Sequence, residues 1–189
     1  MPNRFQDFKH EWEVKHLENS WDLVFKNTFR DIEKILLFSN SNSTRFEFEC
    51  YDISHLYNLA HFVDQGLTQP PLFIQSIFFG LLGGIVAHTA DLAYMKHTAD
   101  RLFGDDYQWS LLGAGKNQIS LASIGAAQRS NVRFGLEDSL WIGFGQLAKS
   151  NADQVRKILH VLEGLSLDIV SPDEARQMLG LKGRDQVDF

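Results

Sequence analysis

Four short apolar runs recur along the chain at similar intervals: FEFECY (46 to 51), LFIQSIFF (72 to 79), QWSLLG (108 to 113) and VRFGLE (132 to 137). Each has the length and the aromatic or β-branched content of a strand. The stretches between them are longer and amphipathic, the alternation expected of βαβ units and a parallel sheet. Their punctuation is helical. Thr89 can cap a helix running to Phe103, with Leu92, Met95, Ala99, Leu102 and Phe103 on one face and Gly104 as its stop. Ser150 opens another, with Asp153 three residues on and a stripe of Val155, Ile158, Leu159, Leu162 and Leu165. Ser171, Pro172 and Glu174 form an N-terminal signature for a third, stopped by Gly180. Thr28 with Asp31 caps a fourth, reaching Phe38 before the turn-rich SNSNST.

The pattern thus predicts an initial helix followed by four strand-helix units. A (β/α)8 barrel needs eight such units and typically about 250 residues, so four make half of one. A doubly wound open sheet is complete with four or five strands, and periodicity alone does not choose between the two. Residues 1–27 differ in character: RFQDFKHEWEVKHLENSW mixes aromatics and charges at helical spacing with no strand ahead of it. The expected division is an N-terminal helical or loop segment over 1–27 and the α/β domain over 28–189.

Composition narrows the class. The 189 residues are 44% hydrophobic and 22% charged, the balance of one soluble globular domain rather than a disordered chain. A net charge of −6 offers no general attraction to nucleic acid or to an anionic membrane surface. Cys50 is the single cysteine, which excludes an intramolecular disulfide and a CxxC metal framework and fits a cytoplasmic location. No basic and apolar leader opens the sequence. The long apolar stretch PPLFIQSIFFGLLGGIVA (70 to 87) contains Gln75, Ser76, three glycines and a proline pair, so it reads as a buried strand feeding a glycine turn rather than a membrane span.

Charge inside two of the strands is the main chemical signal. Strand alternation over 132–137 puts Val132, Phe134 and Leu136 on one face and Arg133, Gly135 and Glu137 on the other. Glu47, Glu49 and Tyr51 likewise alternate with Phe46, Phe48 and Cys50. In a barrel the charged faces line the interior, with Glu137 and Asp138 at the C-terminal rim where such enzymes place their chemistry. The same pattern also fits a structural ion-pair network or an exposed sheet face. Two glycine turns, GLLGG (80 to 84) and GAGKNQ (113 to 118), stand between a strand and a helix start, where amides can bind an anion, although the second departs from a Walker A loop at Ser110 and Asn117. Seven histidines include no His-x-His or HExxH pair. His61, His97 and His160 fall in predicted helices as surface or packing residues, and His55 and His88 are weaker site candidates beyond strand ends.

In this order, FECYDISHLYNL, PPLFIQSIFFGLLGG, WSLLGAGKNQ and above all NVRFGLEDSLWIG, LAKSNADQV and SPDEARQMLGLKG resemble the C-terminal half of the β-keto acid cleavage enzymes, a family typified by 3-keto-5-aminohexanoate cleavage enzyme. The likeness spans residues 20 to 183. It implies half of a TIM barrel, the family's strands five to eight, and an enzyme that converts a β-keto acid and acetyl-CoA into acetoacetate and a new acyl-CoA by a retro-Claisen route at a divalent metal, usually zinc. By the same likeness Glu137 is a metal ligand, Arg133 anchors or polarises the substrate, and Asp138 assists proton transfer. The family's His-x-His metal pair and its other catalytic positions lie on its first four strands, which have no counterpart here, so the metal site is expected to be incomplete in this chain. Arg129 and Ser130 stand where glycines are common, and Phe144 where proline is frequent. The implied partners are a small β-keto acid, acetyl-CoA, and either a second copy or a complementing N-terminal half. The competing expectations are a non-catalytic half-barrel interaction module and an anion-binding α/β domain built on GAGKNQ.

Overall fold

A computed structural model describes residues 8–79, 84–183 and 186–187. The chain divides into two compact units, 1–34 and 35–189. The first holds α1 (Glu11–Asn19) and the opening turn of α2 (Phe29–Asn40). Its caps follow from sequence: Glu13 accepts from the His10 amide at 2.7 Å, and Thr28 Oγ1 accepts from the Asp31 amide at 3.2 Å.

In the second unit β1 (Glu47–Cys50), α3 (Ile53–Asp64), β2 (Leu72–Phe78), α4 (Thr89–Phe103), β3 (Tyr107–Gly113), α5 (Gln118–Ala127) and β4 (Asn131–Val132) alternate as the periodicity predicts. The strands form one parallel sheet in the order β1-β2-β3-β4, with Cys50 opposite Ser76, Ser76 opposite Leu111 and Leu111 opposite Val132. A two-stranded antiparallel ribbon follows, β5 (Trp141–Gly143) and β6 (Gln146–Leu147), and then α6 (Asn151–Gly164) and α7 (Pro172–Leu179).

Alternation along each strand decides where the core lies. Cys50, Leu72, Ile74, Phe78, Trp109 and Leu111 point to one face and share a single buried cluster with Leu56 and Leu59 of α3, Leu92 and Met95 of α4, Leu121 of α5 and Ile158 of α6. Four successive helices therefore cover the same face of a sheet whose strands add in sequence order. A doubly wound sheet reverses its strand order and carries helices on both faces. Among the described residues this sheet does neither, an arrangement consistent with part of a barrel wall.

Local chemistry fixes the helix ends. Ser150 Oγ accepts from the Asp153 amide at 3.2 Å, and Ser171 and Glu174 make a reciprocal capping box before Pro172, with Gly180 left-handed at the far end (φ 61°). Helix α4 differs from expectation at its start: His88, rather than Thr89, is the cap, its Nδ1 accepting from the Ala90 amide at 3.2 Å. An imidazole nitrogen one residue earlier serves the orphan amide as well as a hydroxyl does. Arg129 adopts φ 65°, the conformation that favours the glycine common at that point in the resembled family. Ser150→Ala is expected to lower stability by about 1 kcal/mol, since it removes the acceptor for one orphan amide of α6; urea denaturation of the two proteins measures it.

Candidate active site

The face opposite the helices carries the polar side chains. Glu47 and Glu49 on β1, Gln75 on β2, Ser110 on β3 and Arg133 just past β4 share it by register. Gln75 Nε2 donates to Glu47 at 2.7 Å, and Ser110 Oγ donates to Gln75 Oε1 at 3.0 Å. Gln75 and Ser110 are buried although no helix of the core cluster covers this face. Their polarity inside the apolar runs LFIQSIFF and QWSLLG was the sequence signal for this chain of hydrogen bonds, and alternation alone did not pick it out.

Arg133 is the centre. Its NH1 donates to Glu49 at 3.1 Å, its NH2 to Glu137 at 2.9 Å, and its Nε stands 3.5 Å from Asp138 Oδ2. The last contact is an ion pair without hydrogen-bond geometry, so Oδ2 of the buried Asp138 carboxyl has no donor. Glu49 lies on the first strand and Arg133 follows the last, with two strands between them. Three strand spacings on a flat sheet amount to about 14 Å, with side chains upright and parallel. The 3.1 Å contact from one edge to the other therefore needs the two long side chains to lean toward each other over β2 and β3, the sheet to curve toward this side, or both.

One expectation is corrected here. The run 132–137 is not a continuous strand: β4 ends at Val132, and residues 136–138 form a turn. Arg133 keeps one more ladder contact, its amide donating to the Leu111 carbonyl at 3.1 Å, after which the chain bends and the Asp138 and Ser139 amides both donate to the Gly135 carbonyl. Glu137 therefore reaches Arg133 from a turn rather than from an inward position of a continuing strand. Arginine, glutamate and aspartate are brought together as expected, by a different backbone path.

Burial raises the Asp138 carboxyl above the usual aspartate range; Arg133 opposes this and Glu137 and Glu49 add to it. Burial and the neighbouring Glu49 raise Glu47 in the same way, against Arg133. Arg133 is pulled down by burial but held up by Asp138, Glu137, Glu49 and Glu47, so it stays charged. Tyr51 is raised by burial and by its hydrogen bond to Glu49, 3.1 Å away. The folded chain thus holds the Asp138 proton at a pH where an unfolded aspartate has lost it. Stability attributable to this group falls as pH rises from the ordinary aspartate range through the raised folded value. Asp138→Asn is expected to gain stability over the parent at neutral pH and to show no gain in acid below that range; urea midpoints across pH check the sign.

Other candidates have structural explanations. His55 Nδ1 accepts from the Tyr51 amide at 3.1 Å, and His88 caps α4. In GAGKNQ, the Gly115 amide donates to the Asp138 carbonyl at 2.8 Å and the Ala114 amide to the Phe78 carbonyl at 3.1 Å, which leaves neither for an anion. The turn GLLGG lies, apart from Gly84, outside the described residues. Cys50 is buried, and its thiol is pushed up to about 12 by that burial. A cavity of about 520 Å³ opens at the opposite, N-terminal ends of the strands around Arg45, Thr68 and Lys182. It belongs to a structural clamp: Arg45 donates to the carbonyls of Gln69, Pro70 and Gly180 and so ties the end of α7 to the sheet.

Glu137 was the candidate metal ligand. Among the described residues no three His, Cys, Asp or Glu side chains gather into a group able to hold a metal ion. The donors present do not fit a catalytic zinc centre, which takes about three protein ligands. Among the described residues, no helix is long and apolar enough to cross a membrane.

Residues 5–181 match the family model described as beta-keto acid cleavage enzyme. Over 189 residues the chain is 69% identical to a 3,5-dioxohexanoate:acetyl-CoA acetone transferase of Paraburkholderia graminis, covering all of this chain and 61% of that protein. It is 30% identical over 157 residues to a 3-keto-5-aminohexanoate cleavage enzyme of Fusobacterium nucleatum, covering 83% of this chain and 54% of the relative. It is 29% identical over 163 residues to a 3-dehydrocarnitine:acetyl-CoA trimethylamine transferase of Rhizobium meliloti, covering 86% of this chain and 52% of the relative. The chain thus spans between half and two thirds of the length of these relatives.

Proposed function

Since the chain belongs to the β-keto acid cleavage enzymes, we propose that it is the C-terminal portion of a (β/α)8 enzyme, the fifth to eighth strands, that exchanges acyl groups between a β-keto acid and acetyl-CoA to give acetoacetate and a new acyl-CoA. The observation that carries this reading is Arg133 at the C-terminal ends of the strands, on the face opposite the helices, with Glu49, Glu137 and Asp138 around its guanidinium. A barrel enzyme places its chemistry at that end.

The roles follow from chemistry. A planar guanidinium suits a planar carboxylate and stabilises charge that develops on the keto oxygens during carbon-carbon cleavage. In the absence of substrate Arg133 is occupied by side-chain carboxylates, which a substrate carboxylate replaces like for like. Asp138, which holds its proton to higher pH than an ordinary aspartate, is suited to proton transfer beside that arginine. Glu137 is the most exposed of the three acids, with 82% of its side chain accessible, and is free to turn from Arg133 toward a metal whose remaining ligands come from outside the described residues. In this reading the chain works inside the cell and needs the family's first half to complete its site.

The test is acetyl-CoA-dependent acetoacetate formation together with zinc content, with 3,5-dioxohexanoate as the first substrate because a relative 69% identical is named for it. The chain alone is expected to be silent and to hold no stoichiometric zinc, and to gain both properties when mixed with a polypeptide carrying the first half. Turnover and one zinc per isolated chain would refute incompleteness. Silence of the mixture, with both parts folded, would refute the activity.

A second reading is a non-catalytic module that joins another copy or a separate first half through its sheet edges. It is favoured by the outer sides of β1 and β4, which have no strand partner among the described residues. Unpaired parallel edges are templates for association. Light scattering is expected to find a mass above one chain, and a stable monomer at micromolar concentration would count against it.

A further inference from the structure

The turn that carries Glu137 and Asp138 is held by side chains that neither composition nor the strand pattern singles out. From α5, Gln118 Nε2 donates to the Gly135 carbonyl at 3.3 Å. From α6, Asn151 Oδ1 accepts from the Leu136 amide at 2.8 Å, and Gln154 Nε2 donates to the Ser139 carbonyl. Two helices therefore grip the turn on both sides of the acidic pair. Gln118 and Gln154 are each 1% exposed, and each leaves its own Oε1 buried without a donor. That is an unfavourable way to fill space, because a methionine occupies a similar volume with no orphan acceptor. What the glutamine supplies and the methionine lacks is an N–H aimed at the turn.

We propose that Gln118, Asn151 and Gln154 are positioning residues, a three-point clamp that fixes the backbone of 135–139 so that the Glu137 and Asp138 carboxylates meet Arg133. This deepens the reading of Arg133, Glu137 and Asp138 as the reacting cluster and rests on it for its catalytic meaning. The geometry supports a clamp rather than general packing in two respects. Each contact is made to the backbone of the turn and not to its side chains, so it constrains the chain path. The turn also has little regular structure of its own to do so, since β4 ends at Val132 and β5 begins at Trp141. Positioning of this kind matters to rate because small displacements of reacting groups are costly.

The experiment reads the Arg133 Nε–Hε group by NMR in the full chain, at a temperature well below each variant's melting midpoint. In the parent this Nε stands 3.5 Å from Asp138 Oδ2, and because the surrounding carboxylates repel hydroxide its proton is expected to exchange more slowly than that of a free arginine, at a resolved position. In Gln118→Met and Gln154→Met it is expected to exchange at least about tenfold faster and to move toward the position of a free arginine, while the folded spectrum persists. At Asn151, substitution by aspartate keeps an acceptor for the Leu136 amide and leucine does not. Asn151→Asp is therefore expected to retain the slow signal and Asn151→Leu to lose it. An unchanged Hε signal in the glutamine variants overturns the clamp whatever happens to the melting temperature, as does equal behaviour of the two Asn151 variants. If a glutamine variant does not fold, the Asn151 pair decides. Acetoacetate formation by the parent mixed with its first half is scored separately: its absence removes the catalytic reading and leaves the clamp result standing.

Discussion

Arg133→Ala is expected to abolish measurable acetoacetate formation in the reconstituted enzyme, a loss on the order of a hundredfold to a thousandfold, the usual consequence of removing one preorganised charge-stabilising donor. The same change leaves three carboxylates facing one another with no counter-charge. Breaking a fully buried ion pair costs about 3–5 kcal/mol. Here the guanidinium is 32% exposed and Glu137 largely so; solvent screening reduces the expected penalty to roughly 1–2 kcal/mol. The penalty carries a pH signature, because repulsion among Asp138, Glu137 and Glu49 disappears once they are protonated. The stability difference between parent and variant should therefore shrink in acid. Arg133→Lys is expected to recover much of the stability and little of the activity, since an ammonium supplies charge without the planar fork that meets Glu49 and Glu137 through separate nitrogens. Equal kcat in the lysine variant and the parent would remove Arg133 from the chemistry.

The largest effect on stability should come from a glycine. Gly125 lies in α5, and a Cβ added there would stand 1.9 Å from Leu111 Cδ2 and 3.0 Å from its Cγ. Leu111 is fully buried in β3, an inner strand, so its side chain can yield only by repacking against other core residues. Gly125→Val is expected to destabilise by about 3 kcal/mol, at the upper end of overpacking costs. In a chain of this size each kcal/mol lowers the melting temperature by roughly 2–4 °C. Gly164 makes the opposite case at the end of α6: a Cβ there meets nothing within 4 Å, and Gly164→Ala should gain about 0.4–1 kcal/mol by restricting the unfolded chain. Calorimetry on both variants separates the two mechanisms by sign.

How much of this was legible beforehand depends on which physical rule governs each residue. The parallel sheet and the helices after Ser150 and Ser171 could be read directly, because strand spacing, hydrophobic stripes and hydroxyl caps act locally. The assembly of Arg133 with Glu137 and Asp138 was readable from their proximity in sequence, but the path was not. A six-residue alternation from Val132 looks like a strand whether or not a neighbouring strand is long enough to pair with it, and the partner β3 ends at Gly113. Gln118 and Gln154 escaped notice for a related reason. A glutamine in a helix reads as surface polarity until the tertiary fold places it over another segment's carbonyl. Nor could the strand pattern choose between a barrel wall and a doubly wound sheet, since both alternate identically along the chain and differ only in which face the helices take.

The two sheet margins without a strand partner among the described residues are not equivalent. One belongs to the first strand and the other to the last, both running in the same direction. Two identical polypeptides could therefore join last to first and first to last, and eight staves would close a ring without any third molecule. Such a ring has a rotation axis down its bore and sets both guanidiniums on one rim, facing each other across a shared mouth.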